Sequence, residues 1–383
     1  MLVSAVTSIL TIAGILYFIA ALWSARAFLR RREARADFSP GVSILKPVKG
    51  LDPEMYEAFA SHCTQEYSGD YEILFGASSL DDPAVPAIER LQAEFPARNI
   101  RLVLCPEQLG ANGKVSNVAQ MAAAARYGYM VVNDSDIRVS PRYLARILGA
   151  FATPQKGRQV GLVTAPYRGR AHSTLWSRME AVGISTDFFA GVLVSLTLDG
   201  EIRFGLGSTL AISREALDRI GGFASLADTL ADDYELGRRV AAAGYAVHLS
   251  REAVETSVPA YDRRGFFAHQ LRWARAVRDS RRLGYAGLIL TFGLPWAMFN
   301  ALASGFSLDS FALLSIACLA RVSVALAVGV GVLGDRKVFS SLWLIPLRDL
   351  AALWIWVWSF AGDTIEWRGQ KFELHKGVLK SRD

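Results

Sequence analysis

An α/β fold with a largely parallel sheet, carried between apolar segments that meet a membrane, is predicted by three observations. Short β-rich runs alternate with longer helical stretches through the middle of the chain, the pattern of strands joined by crossover helices. Long uncharged runs stand near both ends of the 383 residues. Finally, 52% of the residues are hydrophobic and the mean hydropathy is +0.24, too apolar for a wholly water-soluble protein of this length.

Val3 to Trp23 carries no charge and is long enough to cross a hydrocarbon core about 30 Å thick. Its basic run, "RAFLRRREAR", follows the apolar stretch. A cleaved signal peptide carries its positive charge before the stretch, so residues 1–25 read as a retained anchor whose carboxyl end faces the cytoplasm.

Residues 40–282 read as one soluble domain on the cytoplasmic side. "GVSILKPV", "YEILFGASS", "NIRLVLC" and "YMVVNDSD" have the composition of buried strands. "PEMYEAFASHCTQEY", "PAVPAIERLQAEF" and "NVAQMAAAARY" have the periodicity of the helices between them.

Apolar runs return at Tyr285 to Ser304, Phe311 to Leu333 and Leu342 to Ala361, giving a membrane region over 283–362. The loop "GDRKVFS" and the tail over 363–383 are both rich in Lys and Arg, hence both cytoplasmic. That requires the last apolar run to be re-entrant or interfacial, with its adjacent Arg348 and Asp349 forming an ion pair buried in protein or facing headgroups. Arg321, in the middle of the preceding run, is expected to face a bundle interior.

The net charge of +6 suits an anionic membrane surface or a phosphate-bearing substrate. No basic repeat interleaved with aromatics argues for nucleic acid. Three separated cysteines form neither a disulfide framework nor a C-x-x-C site, and five scattered histidines show no zinc spacing. The phosphate-loop pattern and a convincing G-x-G-x-x-G are both missing from the sequence.

In open α/β sheets ligands bind beyond the carboxyl ends of the strands. The polar clusters fall there: Lys46 after the first strand, Asp81 and Asp82 after the second, Asp134 and Asp136 after the fourth. Two acids one residue apart repel, and a divalent metal is the obvious compensator; the plainer alternative is a polar turn. "GANGKVSN" offers Lys114 to a phosphate. Asp232 and Asp233 start a helix, where the dipole favours acids, but Asp228 crowds the same place. "FFAHQLRWARAVRDSRR" reads equally as a membrane-surface helix with snorkelling arginines.

Taken in order, "SILKPVKGLDP", "DDPA", "NGKVSN", "DSDIRV", "GSTLAISREALDRIGGF", "LADDYELG", "LRWARAVR" and "WRGQKFEL" resemble the membrane-bound, family 2-like glycosyltransferases with a GT-A fold. Among these the chain is similar to the ceramide glucosyltransferase group, family 21, and to the related bacterial hopanoid-associated glycosyltransferases. The resemblance covers nearly the whole chain and implies a Rossmann-like GT-A domain between an N-terminal transmembrane helix and C-terminal membrane helices. It implies a UDP-sugar donor and Mg2+ or Mn2+ held by Asp136 and Asp134. Asp82 would hold the nucleoside, with Lys46 and Lys114 at the uracil or phosphates.

In the same resemblance Asp233 is the general base of an inverting transfer, with Asp232 beside it. Arg272 steadies the diphosphate and Trp273 walls the sugar or acceptor pocket. The implied acceptor is a membrane lipid, ceramide receiving glucose, or alternatively a hopanoid polyol receiving N-acetylglucosamine; a bacterial inner membrane is the expected setting. The chain departs from the family at His269, where Gln or Arg is usual, and at Asp187, where animal ceramide enzymes carry His. A processive synthase normally needs more spans than the four candidates here. A non-catalytic nucleotide-sugar-binding membrane protein on the same fold is the reading from another class.

Overall fold

The computed structural model describes residues 2–31, 38–367, 370–375 and 377–381. Arg32 to Arg35 of the basic run, and Arg368 and Gly369 of "WRGQKFEL", lie outside the described residues. The chain divides into two compact units, one of residues 38–170, 201–259 and 377–381, the other of 2–31, 171–200 and 260–375.

The first unit is built on ten strands: β1 (Val42–Pro47), β2 (Tyr71–Ala77), β3 (Asn99–Leu104), β4 (Tyr129–Val132), β5 (Ile137–Arg138), β6 (Val160–Thr164), β7 (Tyr167–Ala171), β8 (Leu210–Ser213), β9 (Ala246–Leu249) and β10 (Val254–Val258). Seven make one sheet in the order β3-β2-β1-β4-β8-β6-β9. β1 pairs in parallel with both β2 and β4, while β8 runs antiparallel to β4 and β6. β5, β10 and β7 form a small second sheet. Every residue of β1 is buried, as expected of a central strand covered on both faces. Ile44, Phe59, Phe75, Ile88, Val131 and Tyr143 anchor the core on one side of the sheet.

After β1 the chain steps outward to β2 and β3, then returns to the other side of β1 as β4. The β1/β4 boundary is therefore the switch point of the sheet, where diverging connections leave a crevice. Register pairs Leu45 with Val132, so Lys46 and the Asn133–Asp136 turn emerge side by side.

The second unit holds the apolar helices. Leu2–Leu29, Leu308–Val332 and Val338–Ser359 are long and apolar enough to cross a membrane, in agreement with three of the expected segments. A fourth, Leu175–Asp199, also qualifies. It lies inside the span expected as soluble, and with 260–282 it packs in the apolar unit, so the 40–282 boundary drawn from sequence does not hold as one body. Arg178, Glu180 and Asp187 interrupt its apolar run and hide it from a reading by composition.

The expected Tyr285–Ser304 segment is two helices, Arg282–Thr291 and Gly293–Ala303, bent by 51°. Pro295 supplies the reason. It has no N–H to continue the preceding helix, but its missing donor is harmless in the first turn of a new one.

The first helix is tied in closely. Thr7 and Ser8 donate to Asn300 Oδ1 at 3.1 and 3.0 Å. A Cβ on Gly14 would stand 2.1 Å from Gly293 Cα, so these two helices meet backbone to backbone.

The expected Arg348–Asp349 pair does not form. Neighbouring residues on a helix point in different directions, and each finds its partner elsewhere. Asp349 receives a two-pronged bond from Arg321, Nε to Oδ2 at 2.8 Å and Nη2 to Oδ1 at 3.0 Å. Arg348 Nη2 lies 3.6 Å from Asp187 Oδ2. Arg321 faces the bundle interior as expected, donating also to the carbonyl and hydroxyl oxygens of Thr186.

The described residues of the tail form strands. Thr364–Trp367 and Gln370–His375 pair antiparallel. Val378–Ser381 belongs with the sheet-bearing unit, where Leu379 N–H donates to the Asp228 carbonyl at 2.8 Å.

Candidate functional site

The turn after β4 is set from below by a buried network. Asn133 Nδ2 donates to the Ser208 carbonyl (2.7 Å) and the Tyr143 hydroxyl (2.9 Å), and Asn133 Oδ1 lies 3.3 Å from His62 Nε2. Burial and the nearby Lys46 ammonium hold the His62 pKa well below its ordinary value, so the ring is neutral. Ser135 donates its hydroxyl to the Asp52 carboxylate. Asn133, Ser135 and Asp52 escaped the sequence reading.

Lys46 is fully buried, and its Nζ donates to the Asp134 carbonyl at 2.9 Å. Burial pushes its pKa down to about 7, against the opposing pull of Asp136 and Asp134. In this structure Lys46 braces the acidic turn from β1.

The Asp136 carboxylate accepts from the Thr256 hydroxyl and from Ser257 N–H (3.2 Å) through one oxygen. Burial, with the Asp134 charge beside it, pushes its pKa up to about 6. It borders a small cleft with Glu54, Arg170 and Glu255. Asp134 instead meets Lys114, Nζ to Oδ1 at 2.7 Å.

Lys114 links two parts of the site. Asn112 caps its helix, Gly113–Ala124, by accepting from Val115 N–H, and also donates to the Thr229 carbonyl. Ala111 N–H donates to the Asp228 carboxylate at 2.9 Å. This clamp explains the third acid of the cluster: Asp228 holds the loop. It brings Lys114 Nζ to 3.7 Å from Asp232 Oδ2. Burial opposes the ammonium, but Asp134, Asp232 and Asp233 outweigh it and hold its pKa above the ordinary lysine range.

Asp232 and Asp233 open the helix Asp232–Ala242. Gly205 N–H donates to the Asp233 carbonyl at 3.0 Å, and a Cβ on Gly207 would come within 3.1 Å of Asp233 Oδ2. The "FGLGS" turn thus needs glycine to pass the carboxylate. Burial, then the Asp232 charge, pushes the Asp233 pKa up to about 6, and Asp232 is raised too, chiefly by burial.

Asp82 is committed to backbone. Both its oxygens accept from Gly50 N–H, at 3.0 and 3.1 Å, and Oδ1 also accepts from Ala84 N–H. Within the sheet-bearing unit the chain therefore gathers Asp134, Lys114, Asp232 and Asp233 in one connected row, with Asp136 on the same turn as Asp134 and Lys46 reaching that turn from β1.

Arg272 and Trp273 lie on the helix Arg263–Ser280 in the apolar unit. His269, the departure from the family pattern, packs its ring 4.8 Å from the Trp273 ring and 5.3 Å from that of Tyr261, and its Nδ1 lies 3.1 Å from Glu180. The arginines of this helix do not all snorkel. Arg275 and Arg278 are buried and donate to the carbonyls of Ala361, Ser359 and Gly362, ending the last apolar helix.

Among the described residues, no three His, Cys, Asp or Glu side chains converge to cage a metal ion. The carboxylates still fit a hard divalent ion, because Mg2+ and its like are held by one or two carboxylates plus substrate phosphates. The acids of the row also outnumber its lysines, which favours a cation.

The profile of glycosyl transferase family 21 matches residues 6–379. The chain belongs to this family. It is 26% identical over 394 aligned residues to ceramide glucosyltransferase 3 of Caenorhabditis elegans, covering 97% of this chain and 82% of that protein. Ceramide glucosyltransferase 1 of the same nematode is 25% identical, over 88% of this chain and 72% of its own length. Among solved structures, a mannosyltransferase from Pyrobaculum calidifontis in complex with GDP-Man and Mn2+ superposes with a TM-score of 0.53 at 19% identity, covering 93% of this chain and 99% of that one. That likeness shows the fold. The protein is a glycosyltransferase with the α/β fold class expected from its sequence.

Proposed function

We propose that this glycosyltransferase moves a hexose from a UDP-sugar, with inversion, onto the hydroxyl of a membrane lipid, with ceramide receiving glucose as the leading pair. One observation carries the reading: at the switch point of the sheet, Asp134 of the D-S-D turn is joined through Lys114 to a buried acidic pair whose pKa is raised. Such an arrangement serves both halves of the reaction. The names of the nematode relatives support the acceptor.

Asp134 and Asp136 would hold Mg2+ or Mn2+, which neutralises the diphosphate leaving group when bound. Lys114 supplies a fixed positive charge beside it. Asp233 takes the proton from the acceptor hydroxyl as that oxygen attacks the anomeric carbon. Its burial and the Asp232 charge raise its basicity toward neutral pH. Arg272 pairs with diphosphate oxygens and Trp273 walls the sugar or acceptor. Asp82 acts through the Gly50 backbone it holds. The basic flanks of the apolar segments support a catalytic unit that faces the cytoplasm, and the resemblance to bacterial hopanoid-associated enzymes is the ground for proposing a bacterial inner membrane.

The test is direct. Membranes containing the full chain receive labelled UDP-glucose or UDP-N-acetylglucosamine, each with ceramide or with a hopanoid polyol. Labelled glucosylceramide is the expected product. The hopanoid arm is included because Asp187 and His269 depart from the family pattern; product only there would replace ceramide, and none anywhere would remove the enzymatic reading.

A further inference from the structure

Arg348 is buried within the apolar unit, yet its Nε and Nη1 atoms have no hydrogen-bond partner. Only Nη2 approaches a carboxylate, that of Asp187 at 3.6 Å. A guanidinium left with unmet donors among apolar helices is costly, and ionisable groups at such depth mark ligand sites more often than they serve packing. We infer that Arg348 and Asp187 form a binding site for the uncharged, hydroxyl-bearing head group of a lipid. This deepens, and rests on, the reading that the acceptor is a lipid alcohol.

The geometry around the pair is specialised. Gly183 lies under the guanidinium: a Cβ there would be 2.3 Å from Arg348 Nε. Asp187 sits in a π-helical turn, Ile184–Phe188, a rare irregularity that often accompanies function. Its side chain keeps 40% of its surface exposed, while that of Arg348 keeps 10%. The carboxylate is thus the open side of the site, and the guanidinium the inner wall.

Charge decides the class of ligand. Arg321 and Arg348 face Asp349 and Asp187, so the formal charges of the cluster cancel. A phosphate head group would add an uncompensated negative charge beside Asp187. A hydroxyl does both jobs at once: its oxygen accepts from Arg348, and its hydrogen is donated to Asp187. Arg321 already has four bonds to Asp349 and Thr186, and needs no ligand; the contrast between the two arginines is what singles out Arg348.

The experiment measures equilibrium binding of N-hexanoyl ceramide, a hopanoid polyol and phosphatidic acid to the full chain in lipid nanodiscs. UDP affinity is measured in parallel. Arg348→Met and Asp187→Asn are expected to weaken binding of the hydroxyl lipid at least tenfold, with UDP affinity within twofold of the wild type. Arg348→Lys should not restore it, because one ammonium cannot reproduce the planar donor set. Should Arg348→Met fail to fold, Asp187→Asn and Gly183→Ala, which pushes the guanidinium aside, give the same readout. Wild-type affinity for the hydroxyl lipid in folded variants, with transfer intact, overturns this site and leaves the proposed reaction standing. Preferential binding of phosphatidic acid overturns the ligand class. A wild-type chain that neither binds nor glycosylates any hydroxyl lipid removes the lipid-alcohol reading itself.

Discussion

Around the end of β4 four acids, Asp134, Asp136, Asp232 and Asp233, stand near two lysines: Lys114 pairs with Asp134 and Asp232, and Lys46 donates to the Asp134 backbone carbonyl. Among the apolar helices, Arg321 and Arg348 face Asp349 and Asp187, one guanidinium to each carboxylate. Each set is mostly buried and keeps one part-exposed carboxylate, Asp134 in the first and Asp187 in the second, so on the proposed reading the difference lies in what must arrive. An acid-rich set is held at a cost that a metal and a diphosphate relieve on binding. A balanced set holds itself, and accepts a neutral guest without changing its charge.

The sharpest way to break this comparison is Asp233→Asn. The variant should transfer sugar about 10²–10⁴-fold more slowly while UDP affinity stays within twofold, as read by labelled product and nucleotide titration. Wild-type turnover would remove the base. Chelation is expected to act on the same region, lowering transfer at least about a hundredfold, with recovery on adding Mn2+ or Mg2+; activity unaffected by excess chelator would mean that the acids serve lysines alone. Asp349→Asn tests the balanced set. Stranding Arg321 should cost about 3–5 kcal/mol of stability, seen as a lower melting temperature in detergent.

The pH profile sharpens the contrast further. In the proposed mechanism Asp233 acts as the carboxylate, and its pKa is raised to about 6 by burial and Asp232. The transfer rate should therefore be flat above that pH and fall about tenfold per unit below it. Removing the neighbouring charge in Asp232→Asn should move the inflection downward. An unchanged inflection would assign the profile to another group. The smallest effect is expected from Lys46→Met, about 1–3 kcal/mol from the orphaned Asp134 carbonyl, with loss of transfer following from a displaced turn. A variant as stable as the wild type would show that Lys46 does not brace it.

The parallel half of the sheet was legible because β1 to β4 are short, apolar runs ending on polar residues, and buried strands leave that mark. Lys46 and Asp82 were legible as polar residues at strand ends, but not in their roles. Which way a lysine turns depends on a carbonyl 88 positions away, and Asp82 is claimed by backbone that its own neighbourhood does not reveal. β8 was not legible as antiparallel, since direction within a sheet is decided by connection and not by composition. Helix Leu175–Asp199 stayed hidden because Arg178, Glu180 and Asp187 look like surface charges until their partners at Ser340, His269 and Arg348 are known.

The contact between Gly14 and Gly293 sets the status of the amino-terminal helix. Any greasy segment of equal length would keep the protein at the bilayer, but only one with a bare backbone at this crossing fits the seam. Swapping in an unrelated anchor, or trimming the helix to aid purification, should then disturb the fold of the apolar unit itself. The segment is a fitted part of the machine, and a leash only by position in the chain.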